Sequence, residues 1–497
     1  MEKVKTYSAY KKSGIAWIPI IPEHWEIVDT KRCFNFPKEI VGEDFINYKV
    51  LSLSVNGVIF RNMASGAGKH HSDMGTYQII HPDSIVLCLF DMDVTPRIVG
   101  HSDKTGIITS AYINIKPKES INSKYYYYYF LLQDFNKYLF SQGTGIRTTL
   151  TRSQFGALKI ALPSFEEQTA IARFLDYKLV KINRFIQKKK QLIKLLNEQK
   201  AAIINQAVTK GLNYDLNDSM NTMMNEKDQN QSPSKNQKNQ SARRFKDSGI
   251  EWLGEIPAHW EVRKLKYVAN CFPSNIDKHS KDDEKEVRLC NYTDVYKNDY
   301  ITDAMDLMIA SATDEQIEKF TLVQGDVIIT KDSETANDIA VPAYVKEPLT
   351  NVVCGYHLSV LRPYEMLNGD FLFRVLQCKE INIQFEVQSN GVTRVGLGVY
   401  DLKNAKIPVP PLDEQSRIVD LINNETSIIY TTISKIEKEL ALTEEYKTAL
   451  IAEAVTGKID VRGYVKTMHA LSPTEEIDEE MSIAAEEAED YQVEEMQ

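Results

Sequence analysis

Two stretches of the chain place apolar residues at spacings of three, four and seven, which is the mark of a helix with one buried stripe. The first stripe is Leu175, Leu179, Ile182, Ile186, Ile193, Leu196, Ile203 and Ala207. The second is Ile422, Ile429, Ile433, Ile436, Leu440, Leu450 and Ala454. Each pattern persists for about five heptads and stops at a glycine, Gly211 or Gly457. A helix of about 45 residues is about 65–70 Å long, and with a single apolar stripe it needs a partner. Residues 165–211 hold ten Lys/Arg and four Asp/Glu, whereas residues 412–463 hold six and ten. Opposite charge favours pairing the two helices with each other, and an antiparallel arrangement is expected. Ser164 and Glu167, following Pro163, predict a capping box at the first helix start. Pro411 replaces the serine in the second copy, which predicts a start with proline in the first turn.

Ahead of each helix the pattern shortens to β-rich runs bounded by turn residues. These runs cover residues 48–55, 83–89, 107–109 and 112–115, then 286–289, 326–330 and 358–361. Short strands with few helices predict an α+β module with a compact, partly barrel-like sheet. The aromatic run at 125–130 invites a base-stacking reading. Phe371, Leu372 and Phe373 take the same place in the second half, which favours a packed helix.

The two halves are copies. Residues 11–26 (S-G-I-x-W followed by I-P-x-H-W-E) recur 235 positions on at 246–261, and this motif holds all four tryptophans, Trp17, Trp25, Trp252 and Trp260. A second block, 147–209, recurs without a gap at 394–456. The segments between these blocks resist alignment, so the duplication implies two like modules that meet different things. The tryptophans, kept in both copies, are expected in the core or in packing between module and long helix. The division is a module at 1–163, a long helix at 164–212, an Asn/Gln/Ser/Lys-rich linker at 213–242, a second module at 243–410, a second helix at 411–463 and a tail at 464–497.

Composition adds constraints. Net charge is −10 over 497 residues, but residues 464–497 alone hold 11 acids and one lysine, leaving a neutral body. The tail is expected to be disordered or only partly helical, and a neutral body permits nucleic-acid binding only through local patches. Six dispersed cysteines without a C-x-x-C pair suit a reducing cytoplasm and argue against structural zinc. No apolar run is long enough for a membrane span, and the polar N-terminus is unlike a signal peptide. There is no phosphate-binding loop, dinucleotide fingerprint or amino-methyltransferase motif. His70, His71 and Asp73 lack a spaced fourth metal ligand, so no metal and no catalytic residue is expected.

The pairing of S-G-I-x-W…I-P-x-H-W-E with [LV]-P-x-x-x-E-Q-x-x-I before a long helix, twice and in order, resembles the specificity subunit of type I restriction–modification systems. The resemblance covers about residues 10–212 and 245–463. It implies two target-recognition domains joined by two long antiparallel coiled-coil helices, a split asymmetric site on double-stranded DNA, and docking of two methyltransferase (modification) subunits and of restriction subunits. The chain itself would carry no cofactor and no activity; S-adenosylmethionine, ATP and Mg would belong to the partners, with adenine as the methylated base.

DNA-contact candidates divide into shared and unshared residues. Arg147 and Arg394 occupy one repeat position, which suits phosphate contact; a salt bridge to the adjacent helix is the alternative. Thr148 follows Arg147, and Arg152 has no basic counterpart, Val399 standing in its place. Base-reading candidates lie in loops that differ: Arg61, Lys69, His70, His71, Arg97 and Lys104 in the first module, Lys297, Lys331, Ser333 and Asn337 in the second.

Overall fold

The computed structural model describes residues 5–55, 57–61, 74–212, 245–391 and 394–464. Lys69, His70, His71, Asp73, the 213–242 linker and all but the first residue of the 464–497 tail lie outside them. The chain divides into two compact units, residues 1–189 with 437–497, and residues 190–436. Each unit therefore takes one module and a part of both long helices.

In unit 1 the main sheet comprises β1 (Phe34–Asn35), β2 (Ser84–Leu87), β3 (Val99–Ser102) and β4 (Ile113–Pro117), in the order β1-β4-β2-β3 and antiparallel throughout. Every residue of β2 is buried, as a central strand covered on both faces must be. Helix α1 (Ser123–Phe135) carries the aromatic run. It is capped by the Asn122 side chain, which accepts from Tyr125 N at 3.0 Å. Tyr125, Tyr126, Tyr129 and Phe130 are fully buried, so the run is packed core and not a stacking surface. Their hydroxyls are satisfied: Tyr125 donates to Val455 O at 3.2 Å, Tyr126 donates to Ala161 O at 3.0 Å, and Tyr129 accepts from Ala161 N at 3.1 Å. Burial drives the Tyr125 and Tyr126 phenols well above their ordinary range.

In unit 2 the corresponding sheet comprises β5 (Ala269–Pro273), β6 (Tyr300–Ile301), β7 (Val327–Thr330), β8 (Pro342–Val345) and β9 (Leu358–Pro363), ordered β5-β9-β7-β8-β6. Only β6 pairs in parallel, with β8. Without that added edge strand the order is that of unit 1, down to register. Phe34 faces Pro117 and Ile85 faces Ile115 in unit 1, as Ala269 faces Pro363 and Val327 faces Leu361 in unit 2. The main sheets of the middles that resist alignment as sequence thus share strand order and register apart from that edge strand. Among the described residues each main sheet has two edge strands, β1 and β3 in unit 1 and β5 and β6 in unit 2.

The two stripes form single helices, α2 (Phe165–Lys210) and α4 (Leu412–Val455), and α3 (Gly369–Gln377) takes the place of α1 in unit 2. The long helices run antiparallel within each unit. In unit 1, Ile171, Leu175 and Leu179 share a core with Leu450, Ile451, Ala454 and Val455, while Lys189 Nζ lies 2.9 Å from Glu439. In unit 2, Ile204, Ala207 and Val208 share a core with Ile418, Val419 and Ile422, while Lys200 Nζ lies 3.4 Å from the Tyr430 hydroxyl. Of the stripe positions, Leu175, Leu179, Ile186, Ile203, Ile422, Ile429, Ile436 and Leu450 are buried. Ile182, Ile193, Leu196, Ile433 and Leu440 are half-buried. An exposed ion pair such as Lys189–Glu439 contributes at most about 1 kcal/mol, whereas each buried Leu or Ile contributes about 1.5–3 kcal/mol. The apolar stripe, not the charge complementarity, holds the pair.

The helix starts differ from expectation in detail. Ser164 Oγ accepts from Glu167 N at 3.3 Å, but the Glu167 carboxylate turns to His24 and Trp25 instead of closing the box. Pro411 precedes the first turn of α4 as its cap; lacking an N–H, it contributes its carbonyl, which accepts from Glu414 N at 2.9 Å and Gln415 N at 3.0 Å.

Candidate nucleic-acid interface

The repeated motifs meet in the same way in both units. His24 Nε2 donates to Glu167 Oε2 at 2.9 Å, and His259 Nε2 donates to Glu414 Oε2 at 2.7 Å. Trp25 and Trp260 beside them are fully buried. Each packs against the glycine that ends the helix arriving from the other half of the chain: a Cβ on Gly457 would strike Pro22 and Trp25, and one on Gly211 would press on Trp260. Both glycines also adopt positive φ, 70° and 77°, so two constraints exclude larger residues. Next in sequence, Gln168 Nε2 donates to Pro163 O at 2.9 Å and its Oε1 accepts from Asn122 N at 2.9 Å. Gln415 repeats this with Pro410 O at 2.9 Å and Asn368 N at 2.8 Å. The E-Q pair therefore bolts each long helix to the capping residue of its module's own helix. Trp25 and Trp260 thus pack between module and long helix, whereas Trp17 and Trp252 are half-buried; the His–Glu and Gln bridges, although invariant between the two copies, carry no signal in the hydrophobic pattern.

The shared scaffold presents unlike surfaces. By sheet register the exit from the central strand is Leu89-Phe90-Asp91 in unit 1 and Lys331-Asp332-Ser333 in unit 2. Each exit pairs with the segment bearing the repeated arginine: Leu150 N donates to Leu89 O, and Leu397 N to Lys331 O, both at 2.8 Å. Arg147 is 81% exposed, with Nε 3.7 Å from Asp91 Oδ1; its acidic neighbour is in a loop, not on the adjacent helix. Arg394 is exposed beside Val395, which pairs with Ser333. Thr148 is half-buried at a positive φ of 33°.

The remaining candidates scatter. The Arg97 guanidinium donates to Asp134 Oδ2 at 3.0 Å and lies over Phe135, with side-chain exposures of 18% for Arg97 and 3% for Asp134. That is a packed ion pair, which fixes the loop before β3. Arg152 lies 5.0 Å over the Phe36 ring. Lys104 bonds Asp103 and, with Lys49, flanks the exposed Phe60 ring at 5.9 and 5.3 Å; Arg61 follows Phe60 and donates its backbone N–H to Val50 O. In unit 2, Lys297 and Asn337 are exposed, and their respective neighbours in sequence are joined, Tyr296 donating to Asp338 Oδ2 at 2.8 Å. Ser333 is only 3% exposed, leaving Lys331 and Arg394 as the basic candidates at that strand exit, with the Asp332 carboxylate beside them bonded to His357.

Among the described residues no group of three or more His, Cys, Asp or Glu is placed to hold a metal, and no helix is long and apolar enough to cross a membrane. All six cysteines are buried and unpaired, and burial pushes the Cys271 and Cys378 thiols up to about 12.

The family model of the type I restriction modification DNA specificity domain matches residues 99–195 and 257–441. A type I restriction enzyme specificity subunit, MjaVIII, of Methanocaldococcus jannaschii is 23% identical over 461 residues, covering 89% of this chain and 94% of that protein. A putative type I restriction enzyme specificity subunit, MjaX, of the same organism is 27% identical over 194 residues, 37% of this chain and 44% of that protein. One chain of a solved structure, titled for complex assembly and conformational transition of the type I R-M system, shares the fold at a TM-score of 0.54 and 15% identity, over 88% of this chain and 99% of that one. With the matched regions taking up more than half of its length, the chain belongs to the type I restriction–modification DNA specificity family.

Proposed function

We propose that this chain is the non-catalytic specificity subunit of a type I complex and that each unit reads one half of a bipartite, asymmetric site on double-stranded DNA. The observation that carries the reading is the contrast between the units: one sheet order, one helix anchor and one exposed arginine position, but unlike residues at the strand exits. Common arginines suit phosphate contact, which positions without specifying, and unlike loops suit base contact. In this reading α2 and α4 act as spacer and as dock for two methyltransferase subunits, with restriction subunits joining them. S-adenosylmethionine, ATP and Mg are held by those partners, and the methylated base is adenine.

The test is methyl transfer from labelled S-adenosylmethionine to duplex DNA by the co-purified modification subunit. Transfer is expected only when this chain is present, and the chain alone is expected to be inactive. Equal transfer with and without it would refute the proposal.

A further inference from the structure

In unit 2 the exit Lys331-Asp332-Ser333 lies against the entry to β9, Tyr356-His357, tied to it by Lys331 N donating to His357 O at 3.0 Å. A cleft of about 550 Å³ opens here, lined among others by Lys278, His279, Asn291, Tyr292, Tyr356 and His357. Basic, amide and aromatic side chains share its walls with one carboxylate, Asp277. Tyr356 is 49% exposed, and the Lys331 ammonium sits 4.5 Å from its ring centroid. His357 Nδ1 donates to Asp332 Oδ2 at 2.7 Å, which fixes the ring and turns Nε2 to any partner. In unit 1 the sheet register puts Leu89 and Phe90 at the places of Lys331 and Asp332, and Ser110 and Ala111 at those of Tyr356 and His357. At these four positions the two units therefore present different chemistry, while the arginine on the neighbouring segment is common to both.

We propose that this cleft reads the bases of unit 2's DNA half-site, Tyr356 and His357 being specificity-determining residues and Lys331 a contact to the flanking phosphate. The proposal rests on the DNA-specificity reading above. A base edge in the major groove offers hydrogen-bond partners to an oriented imidazole, and an exposed phenol ring offers a face to a thymine methyl or a deoxyribose. Asp332 acts through His357 by holding its ring. A lysine already poised over the aromatic ring is placed to meet the adjacent phosphate as the ring meets the base.

The test uses the full chain with its modification partners and duplex oligonucleotides carrying the methylated sequence of the wild-type complex, intact or scrambled in one half-site. For wild type, scrambling either half is expected to weaken binding at least about ten-fold. In Tyr356→Ala and His357→Ala the penalty for one half-site should fall to about two-fold while the other keeps its wild-type penalty, which also shows that those variants are folded. Lys331→Gln should keep both penalties and lower the salt slope by about one. Tyr267→Ala, an exposed tyrosine of the same unit that does not line the cleft, should change neither. Wild-type penalties at both half-sites in both Tyr356→Ala and His357→Ala would overturn the assignment. If wild type itself shows no penalty at either half, the DNA-specificity reading fails, and the cleft assignment with it.

Discussion

Gln415→Leu should loosen unit 2 where α4 meets the cap of α3, and the structure sets the size of the effect. The amide is fully buried; it donates to Pro410 O at 2.9 Å and Met366 O at 3.1 Å and accepts from Asn368 N at 2.8 Å. Leucine keeps the bulk and strands three backbone groups. An unsatisfied buried group costs about 1–3 kcal/mol. Pro410 is buried and bears that cost fully, whereas Asn368 and Met366 lie at the rim where water partly replaces the amide. The sum is about 2–3 kcal/mol. The loss is local, because Asn368 caps α3 by accepting from Asp370 N at 2.9 Å and Phe371 N at 3.2 Å. Hydrogen exchange on the full chain should speed up in peptides covering 366–377 and stay unchanged in those covering 122–135. Gln168→Leu, which strands Pro163 O and Asn122 N, should do the reverse. A change below about 0.5 kcal/mol in both variants, or faster exchange in the wrong unit, would refute the anchoring argument.

Arg147→Ala and Arg394→Ala should each weaken DNA binding to about the same extent on matched and scrambled duplexes and reduce the salt slope by about one; a sequence-dependent loss would mean base reading instead. Arg97→Ala should cost about 3 kcal/mol of stability by leaving buried Asp134 without a counter-charge, only the Ile98 N–H still donating to it, with DNA discrimination intact once the variant is folded; a stable variant that lost discrimination would restore Arg97 as a base contact. The His101 side chain is 11% exposed with Nε2 3.1 Å from Ser123 Oγ, and partial burial lowers its pKa despite Asp83 at 3.7 Å. Below about pH 6.5 the unfolded chain takes up a proton that the folded imidazole resists. Unit 1 should therefore lose stability as pH falls through that value, by at most about 1.4 kcal/mol per pH unit. His101→Gln should flatten the dependence in denaturant titrations from pH 7.5 to 5.5, and an identical slope in variant and wild type would count against it.

What the sequence disclosed and what it hid follow from different physics. The stripe from Leu175 to Ala207 repeats a long period, so the helix and its apolar face are overdetermined. The strands were legible as runs, but their order depends on pairings between residues far apart, such as Phe34 with Pro117, which no local pattern encodes. Pro411 misled because its usual place in a first turn competes with a cap supplied by its own carbonyl. Charge and loop composition mark Arg97 and Arg147 alike, and charge alone does not separate Arg97, held by Asp134, from Arg147, held at the surface. Tyr356 and His357 were missed because their relation to Lys331 arises only when two sheet strands are side by side.

The central claim, that two unlike reading modules share one chain, is tested most directly by mapping methylated adenines genome-wide in cells carrying the modification subunit with and without this chain. The account predicts a single motif of two different half-sites separated by a fixed run of unspecified bases, lost when the chain is removed. A palindromic motif, or one that persists without the chain, would contradict it.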